Sequence, residues 1–204
     1  MIVYLGGVPG VGKTKVTKQV ESLALEKGFA LKRLRGTGIL CELAGVSSVD
    51  ELRRLPEETR HELRPEMYRR IYAEDREDPN TIRLGDGHFC MFEINSDRFG
   101  IREIQPWDKD QVLGVMVLIA PSNLILERRK VDKEIRDDRR LDLDSITYEQ
   151  KVELLIAKQQ SEQIGCPMAV FDNSLVDISP LVSNILFTIT VWEESWRSFN
   201  KEVE

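Results

Sequence analysis

The chain has 204 residues, of which 41% are hydrophobic and 31% are charged, and its formal net charge is −6. This length suits one domain with at most a small insert, and an acidic chain lacks the positive surface that broad nucleic-acid binding requires. No apolar run approaches the roughly 20 residues that span a bilayer, and the three cysteines form no CxxC pair. We therefore expect a cytoplasmic protein with reduced thiols and no membrane partner.

The first 34 residues predict a strand, a helix and a second strand. Residues 2–5 are apolar and end in glycines, as in a buried strand of a parallel sheet. Residues 13–27 have apolar positions at helical spacing and are followed by Gly28, a helix stop. Residues 29–34 complete a βαβ unit.

A mostly helical segment separates the second strand from the third. Gly36 and Thr37 precede a short helix over residues 39–44, and further helices are expected over residues 49–55 and 56–74, the last bent at Pro65. Residues 81–84 predict the third strand.

The second half continues the alternation of strands and helices. We expect a hairpin from residues 89–94 and 99–104, a buried strand over 113–120, and a helix from 121 to 130. Residues 131–144 are almost entirely charged and are expected to form a solvated loop, followed by a helix (145–163), a strand (168–171) and a last helix (179–197). Alternating elements of this kind predict an α/β fold with three layers, in which helices cover both faces of a five-stranded parallel sheet.

Residues 7–14 match the phosphate-binding pattern GxxxxGK[ST] and lie between a predicted strand and a predicted helix. A glycine-rich turn aims backbone N–H groups at phosphate oxygens, and the helix that follows adds the positive end of its dipole. Lys13 is expected to reach the β and γ phosphates of ATP, and Thr14 to bind Mg²⁺. The predicted phosphate ligands are Gly7, Pro9, Gly10, Val11, Gly12, Lys13 and Thr14.

Asp86 follows the third predicted strand and is a second candidate for Mg²⁺ binding, opposite Thr14. A carboxylate at this edge of the sheet would hold the ion through water. The alternative is a simple surface turn, because Asp-Gly is a common turn pair.

An arginine-rich segment lies between residues 128 and 140. Guanidinium groups that close over a transferring phosphoryl group would stabilise its charge and exclude water, so Arg129, Arg136 and Arg140 are the predicted catalytic arginines, together with Lys13. The interleaved aspartates leave a solvated charged loop as the alternative and weaken a third interpretation, an RNA-binding patch.

The order of these motifs resembles the nucleoside monophosphate kinases, most closely adenylate kinase of the archaeal type. The resemblance rests on GVPGVGKT after the first strand, Gly36-Thr37 after the second, LRRLPEET at residues 52–59, Asp86-Gly87-His88 after the third, the arginine-rich segment, and Asp172-Asn173 after the last strand. It implies Mg²⁺-dependent phosphoryl transfer from ATP to AMP. It also implies an acceptor-binding insert over residues 36–75 and a lid over 131–144. The implied acceptor-binding residues are Gly36, Thr37, Arg53, Asp86 and His88, and the implied adenine-binding residues are Asp172 and Asn173.

Two other functions stay open. Residues 89–110 depart from the pattern of this family, which allows a P-loop kinase for another small acceptor. Trp192, Trp196 and Phe199 share a helix face, which predicts core packing or a subunit contact, and hence a possible homo-oligomer. The same face allows a nucleotide-dependent ATPase or switch that acts through a protein or RNA partner.

Overall fold

The computed structural model describes residues 1–92, 99–132 and 140–201, except for the side chains of Arg53, Glu57, Asn200 and Lys201. Within these residues, five strands form one parallel sheet and two form a small antiparallel hairpin. The strands are β1 (Ile2–Gly6), β2 (Leu31–Leu34), β3 (Ile82–Asp86), β4 (Cys90–Phe92), β5 (Phe99–Ile101), β6 (Val112–Ile119) and β7 (Met168–Asp172). The parallel sheet has the order β2-β3-β1-β6-β7, so β1 lies at its centre.

Helices occupy most of the remaining described chain. They are α1 (Lys13–Glu26), α2 (Gly36–Ala44), α3 (Val49–Arg54), α4 (Glu57–Glu77), α5 (Asp108–Gln111), α6 (Ser122–Val131), α7 (Leu143–Ile164) and α8 (Ser179–Lys201). Helix α4 continues past Pro65 and ends at Glu77, three residues beyond the predicted end at residue 74. The four-residue helix α5 was not predicted. Among the helices that the structure describes, none combines the length and the hydrophobicity that a membrane span requires.

The alternating side chains of β1 divide the core into two layers. Val3 and Leu5 pack in one cluster with residues of α1 and α8, whereas Ile2 packs on the other face with Met67 and Ile71 of α4. The β6 strand is apolar along its whole length because helices cover both of its faces. The predicted three-layer fold with a five-stranded parallel sheet is therefore confirmed.

The predicted hairpin is confirmed in its described part. Cys90 pairs with Ile101 and Phe92 pairs with Phe99 in antiparallel register, while residues 93–98 lie outside the described chain. Just before β4, the Phe89 ring packs against the end of β1. A Cβ atom added at Gly6 would lie only 2.2 Å from that ring, so a larger residue at position 6 would displace it.

The C-terminal helix α8 packs one aromatic face against the core. Trp192 and Trp196 are partly buried there, and a Cβ atom added at Gly114 of β6 would lie 2.1 Å from the Trp192 ring. Core packing is thus confirmed for the two tryptophans. Phe199 differs, because 68% of its surface is exposed.

Candidate phosphate-binding site

The carboxyl ends of the parallel strands bring the predicted site residues to one edge of the sheet. In the strand register Leu5 of β1 lies beside Asp86, and Ile119 of β6 lies beside Asp172. Leu34, at the end of β2, lies beside Gly85. The register thus brings together segments that are far apart in the sequence. Ligands of open α/β sheets bind outside this edge.

The P-loop, residues 7–14, has the backbone of a phosphate cradle. Gly10 and Gly12 have φ angles of 84° and 102°, values that favour glycine. Gly12 has a second constraint, because a Cβ atom there would lie 2.5 Å from the side-chain nitrogen of Asn173. The Lys13 ammonium donates to the backbone oxygens of Gly7 and Val8, which holds it over the loop.

Thr14, in the first turn of α1, and Asp86, the last residue of β3, lie within hydrogen-bonding distance of each other. The Thr14 hydroxyl donates to Asp86 Oδ2 at 3.3 Å, and both residues are exposed. A hydroxyl and a carboxylate are oxygen ligands of the kind that Mg²⁺ prefers. The described residues contain no group of three or more His, Cys, Asp or Glu side chains placed to hold a metal. Thr14 and Asp86 would supply two oxygen ligands, and an ion held there would take its other ligands from phosphate oxygens and water.

A buried carboxylate that sequence reasoning missed lies beneath the P-loop. Glu153 of α7 is 1% exposed and accepts hydrogen bonds from the backbone nitrogens of Gly7 (2.8 Å), Phe89 (2.9 Å) and Cys90 (2.7 Å). Burial raises the pKa of Glu153, and the three N–H donors oppose that rise. The available signal was its position on the apolar stripe of α7, where an acid needs a partner.

Arg129 connects three parts of the site from a buried position. Its Nε donates to Pro9 O of the P-loop (2.9 Å), one Nη to Arg140 O (2.9 Å), and the other to Glu149 of α7 (2.6 Å). The arginine is 1% exposed. These contacts bind Arg129 to protein groups beneath the loop, and its direct contact with a transferring phosphate stays a prediction.

Arg128 and Asn173 hold the opposite side of the P-loop. Arg128 donates to Val11 O and to Asn173 O, each at 3.1 Å, and the Asn173 amide donates to Val11 O at 2.7 Å. Asn173 is buried, whereas the neighbouring Asp172 is exposed. Their predicted role in adenine binding is untested by these contacts.

The predicted acceptor residues are only partly assembled by the described chain. Gly36 and Thr37 form the first turn of α2, and Thr37 is exposed. His88 is half-buried, two residues after Asp86. Arg53 belongs to α3, but its side chain lies outside the description, as does the whole of Arg136.

Arg140, another of the predicted catalytic arginines, lies close to the hairpin. Its guanidinium carbon lies 5.7 Å from the centre of the Phe92 ring, a cation–π distance. Because its backbone oxygen accepts from Arg129, the end of the charged segment is tied to the base of the P-loop.

Comparison with known proteins indicates the general class of protein to which this chain is similar. No family model matches the chain. Over 135 residues, 62% of this chain, it is 30% identical to the adenylate kinase of Sulfurisphaera tokodaii, and this match covers 66% of that relative, slightly under two thirds. The fold is similar to that of shikimate kinase from Bacteroides thetaiotaomicron, with a TM-score of 0.50, 13% identity, and coverage of 95% of this chain and 98% of that one. Together, the sequence similarity and the fold support a P-loop kinase.

Proposed function

We propose that this protein transfers the γ-phosphoryl group of ATP to a nucleoside monophosphate, with AMP as the preferred acceptor, giving two nucleoside diphosphates. The observation that carries the proposal is that Lys13, Thr14 and Asp86 lie together at the carboxyl edge of the sheet. Residues 36–75, which we propose as the acceptor-binding insert, follow the end of β2 at the same edge. The similarity to an adenylate kinase supports a nucleotide as acceptor.

The residues of the P-loop would bind and orient the donor. Backbone N–H groups and the first turn of α1 would hold the β and γ phosphates, while the Lys13 ammonium would exchange its carbonyl partners for phosphate oxygens. Thr14 and Asp86 would hold Mg²⁺, which neutralises phosphate charge when bound. The acceptor phosphate is already ionised near neutral pH, so direct in-line transfer needs positioning and electrostatics more than a general base.

The remaining predicted roles complete the proposal. Residues 36–75 would form the acceptor-binding insert, with Gly36, Thr37, Arg53 and His88 near the acceptor. Residues 131–144 would form a lid that brings Arg136 and Arg140 to the transferring phosphate and excludes water. Asp172 and Asn173 would lie beside the adenine of the donor.

A coupled assay with ATP and a panel of acceptors tests the proposal. The panel should contain the common ribo- and deoxyribonucleoside monophosphates together with hydroxyl metabolites, shikimate among them. We expect the highest kcat/KM with AMP and no transfer by the Lys13→Ala variant. A preference for a hydroxyl acceptor would contradict the proposal and leave the P-loop assignment in place.

A second candidate, a partner-dependent ATPase, is favoured by one surface. Phe187 and Val191, one turn apart on α8, are 69% and 40% exposed and form a small apolar patch to which a protein partner or a second copy of this chain could bind. Phe199, further along the same helix, is also exposed, at 68%. ATP hydrolysis without any acceptor, stimulated by such a partner, would support this candidate over the kinase.

A further inference from the structure

The carboxylate of Glu153 lies where the donor and acceptor sides of the candidate site separate. The parallel ladder between β1 and β3 ends with the hydrogen bond from Gly87 N to Leu5 O, at 3.2 Å. Beyond that bond the segments that follow β1 and β3 diverge, the first into the P-loop and the second towards β4. Glu153 reaches both, because it accepts from Gly7 on one side and from Phe89 and Cys90 on the other.

The geometry of this contact is specific. One carboxylate oxygen is shared by the N–H groups of Gly7 and Phe89, and the second oxygen accepts from Cys90. Three donors converge on a side chain that is almost fully buried, so the loss of this acceptor would leave buried N–H groups unpaired. The Phe89 ring closes the same junction against Gly6.

Gly7 links this junction to the chemistry of the P-loop. Its N–H donates to Glu153, while its carbonyl oxygen accepts from the Lys13 ammonium. An acidic side chain and a basic side chain therefore fix the two peptide groups that flank Gly7.

We propose that Glu153 is a positioning residue for phosphoryl transfer, which fixes the P-loop relative to the segment that carries Asp86 and His88. The inference rests on the proposed function, since that segment is taken as the acceptor side. Glu153 acts through the backbone of Gly7, Phe89 and Cys90 and does not itself contact substrate. Its loss should disturb the alignment of the two sides more than the binding of ATP by the P-loop alone.

The Glu153→Gln variant tests this role by steady-state kinetics. The substitution preserves side-chain size but replaces one carboxylate oxygen with an NH₂ group. Because both oxygens accept from backbone N–H groups, the new NH₂ group faces a donor and at least one hydrogen bond is lost. We expect kcat to fall by about tenfold or more, while the Kd for ATP changes by less than about threefold. The control is Glu162→Gln, an exposed acid on the same helix, which should leave both values unchanged. A lower Tm with wild-type kcat at a temperature where the variant is folded would overturn the proposal.

Amide hydrogen exchange gives a second test that needs no turnover. In the wild-type protein the Gly7, Phe89 and Cys90 amides should exchange through one shared opening, and ATP binding should increase protection at all three. In the Glu153→Gln variant the increase should be lost at Phe89 and Cys90. Independent exchange of Gly7 in the wild type, or an equal increase in both proteins, would overturn the proposal. If the wild type phosphorylates no nucleoside monophosphate, the proposed function fails, and these exchange data still decide whether Glu153 couples the two segments.

Discussion

The ammonium group of Lys13 is the positive charge that we propose binds the β and γ phosphates. Lys13 is half-buried, and its ammonium donates to the carbonyl oxygens of the loop that it would leave on binding phosphate. We therefore predict that Lys13→Ala abolishes phosphoryl transfer while the protein stays folded. Kinetics and urea denaturation measure the two effects. The exposed Lys15→Ala variant is the control, and near-normal turnover of folded Lys13→Ala would refute the assignment.

Gly12 is constrained by both conformation and space. Its φ of 102° and the proximity of Asn173 predict that Gly12→Ala destabilises the fold by about 1–3 kcal/mol. Gly28→Ala is a matched control, because Gly28 also has a positive φ, 66°, but has no atom within 4 Å of an added Cβ. Urea denaturation should show the larger loss at Gly12. Equal losses would mean that the approach of Asn173 contributes nothing.

At the scale of elements, α6 and α7 together support the P-loop from below. The buried pair of Arg129 and Glu149 joins the two helices, and Arg129 extends to Pro9. We predict that Arg129→Met or Glu149→Leu alone costs about 3–5 kcal/mol, because each leaves a buried charge unpaired. The double variant should cost clearly less than the sum of the two. Urea denaturation of all four proteins gives the coupling energy, and additive losses would contradict a coupled pair.

Residues 131–144, from the end of α6 to the start of α7, are predicted to form the lid of the site. Arg136→Ala should lower kcat the most, by roughly 10³-fold, and Arg140→Ala should also lower kcat more than it weakens ATP binding, because these charges act in the transition state. Steady-state kinetics beside equilibrium ATP binding measure this difference, with the exposed Lys130→Ala variant as control. Turnover within about twofold of wild type for both arginine variants would mean that the segment is only a charged surface.

Over the whole molecule, local sequence patterns predicted the strands and the P-loop well, but they did not predict the buried side chains that hold the P-loop in place. The strands and the P-loop were predictable because apolar runs, glycines and the GxxxxGK[ST] spacing lie within short segments. Helix α5 was missed because four residues are too few to show a period. The contacts of Glu153 and Arg129 were missed because their partners Gly7 and Pro9 lie 146 and 120 positions away in the chain. In addition, the sequence of the pair Arg128-Arg129 does not indicate whether its side chains face solvent or the core.

Binding of a two-headed ligand is the most direct test of two nucleotide sites that face each other across the P-loop. Two adenosines joined by five phosphates would occupy the donor and acceptor sites in one molecule, with the second site engaged at high effective concentration. Calorimetry should show an affinity at least about 100-fold higher than that of ATP, with one ligand bound per chain. An affinity no better than that of ATP would contradict a nucleoside monophosphate site beside the P-loop.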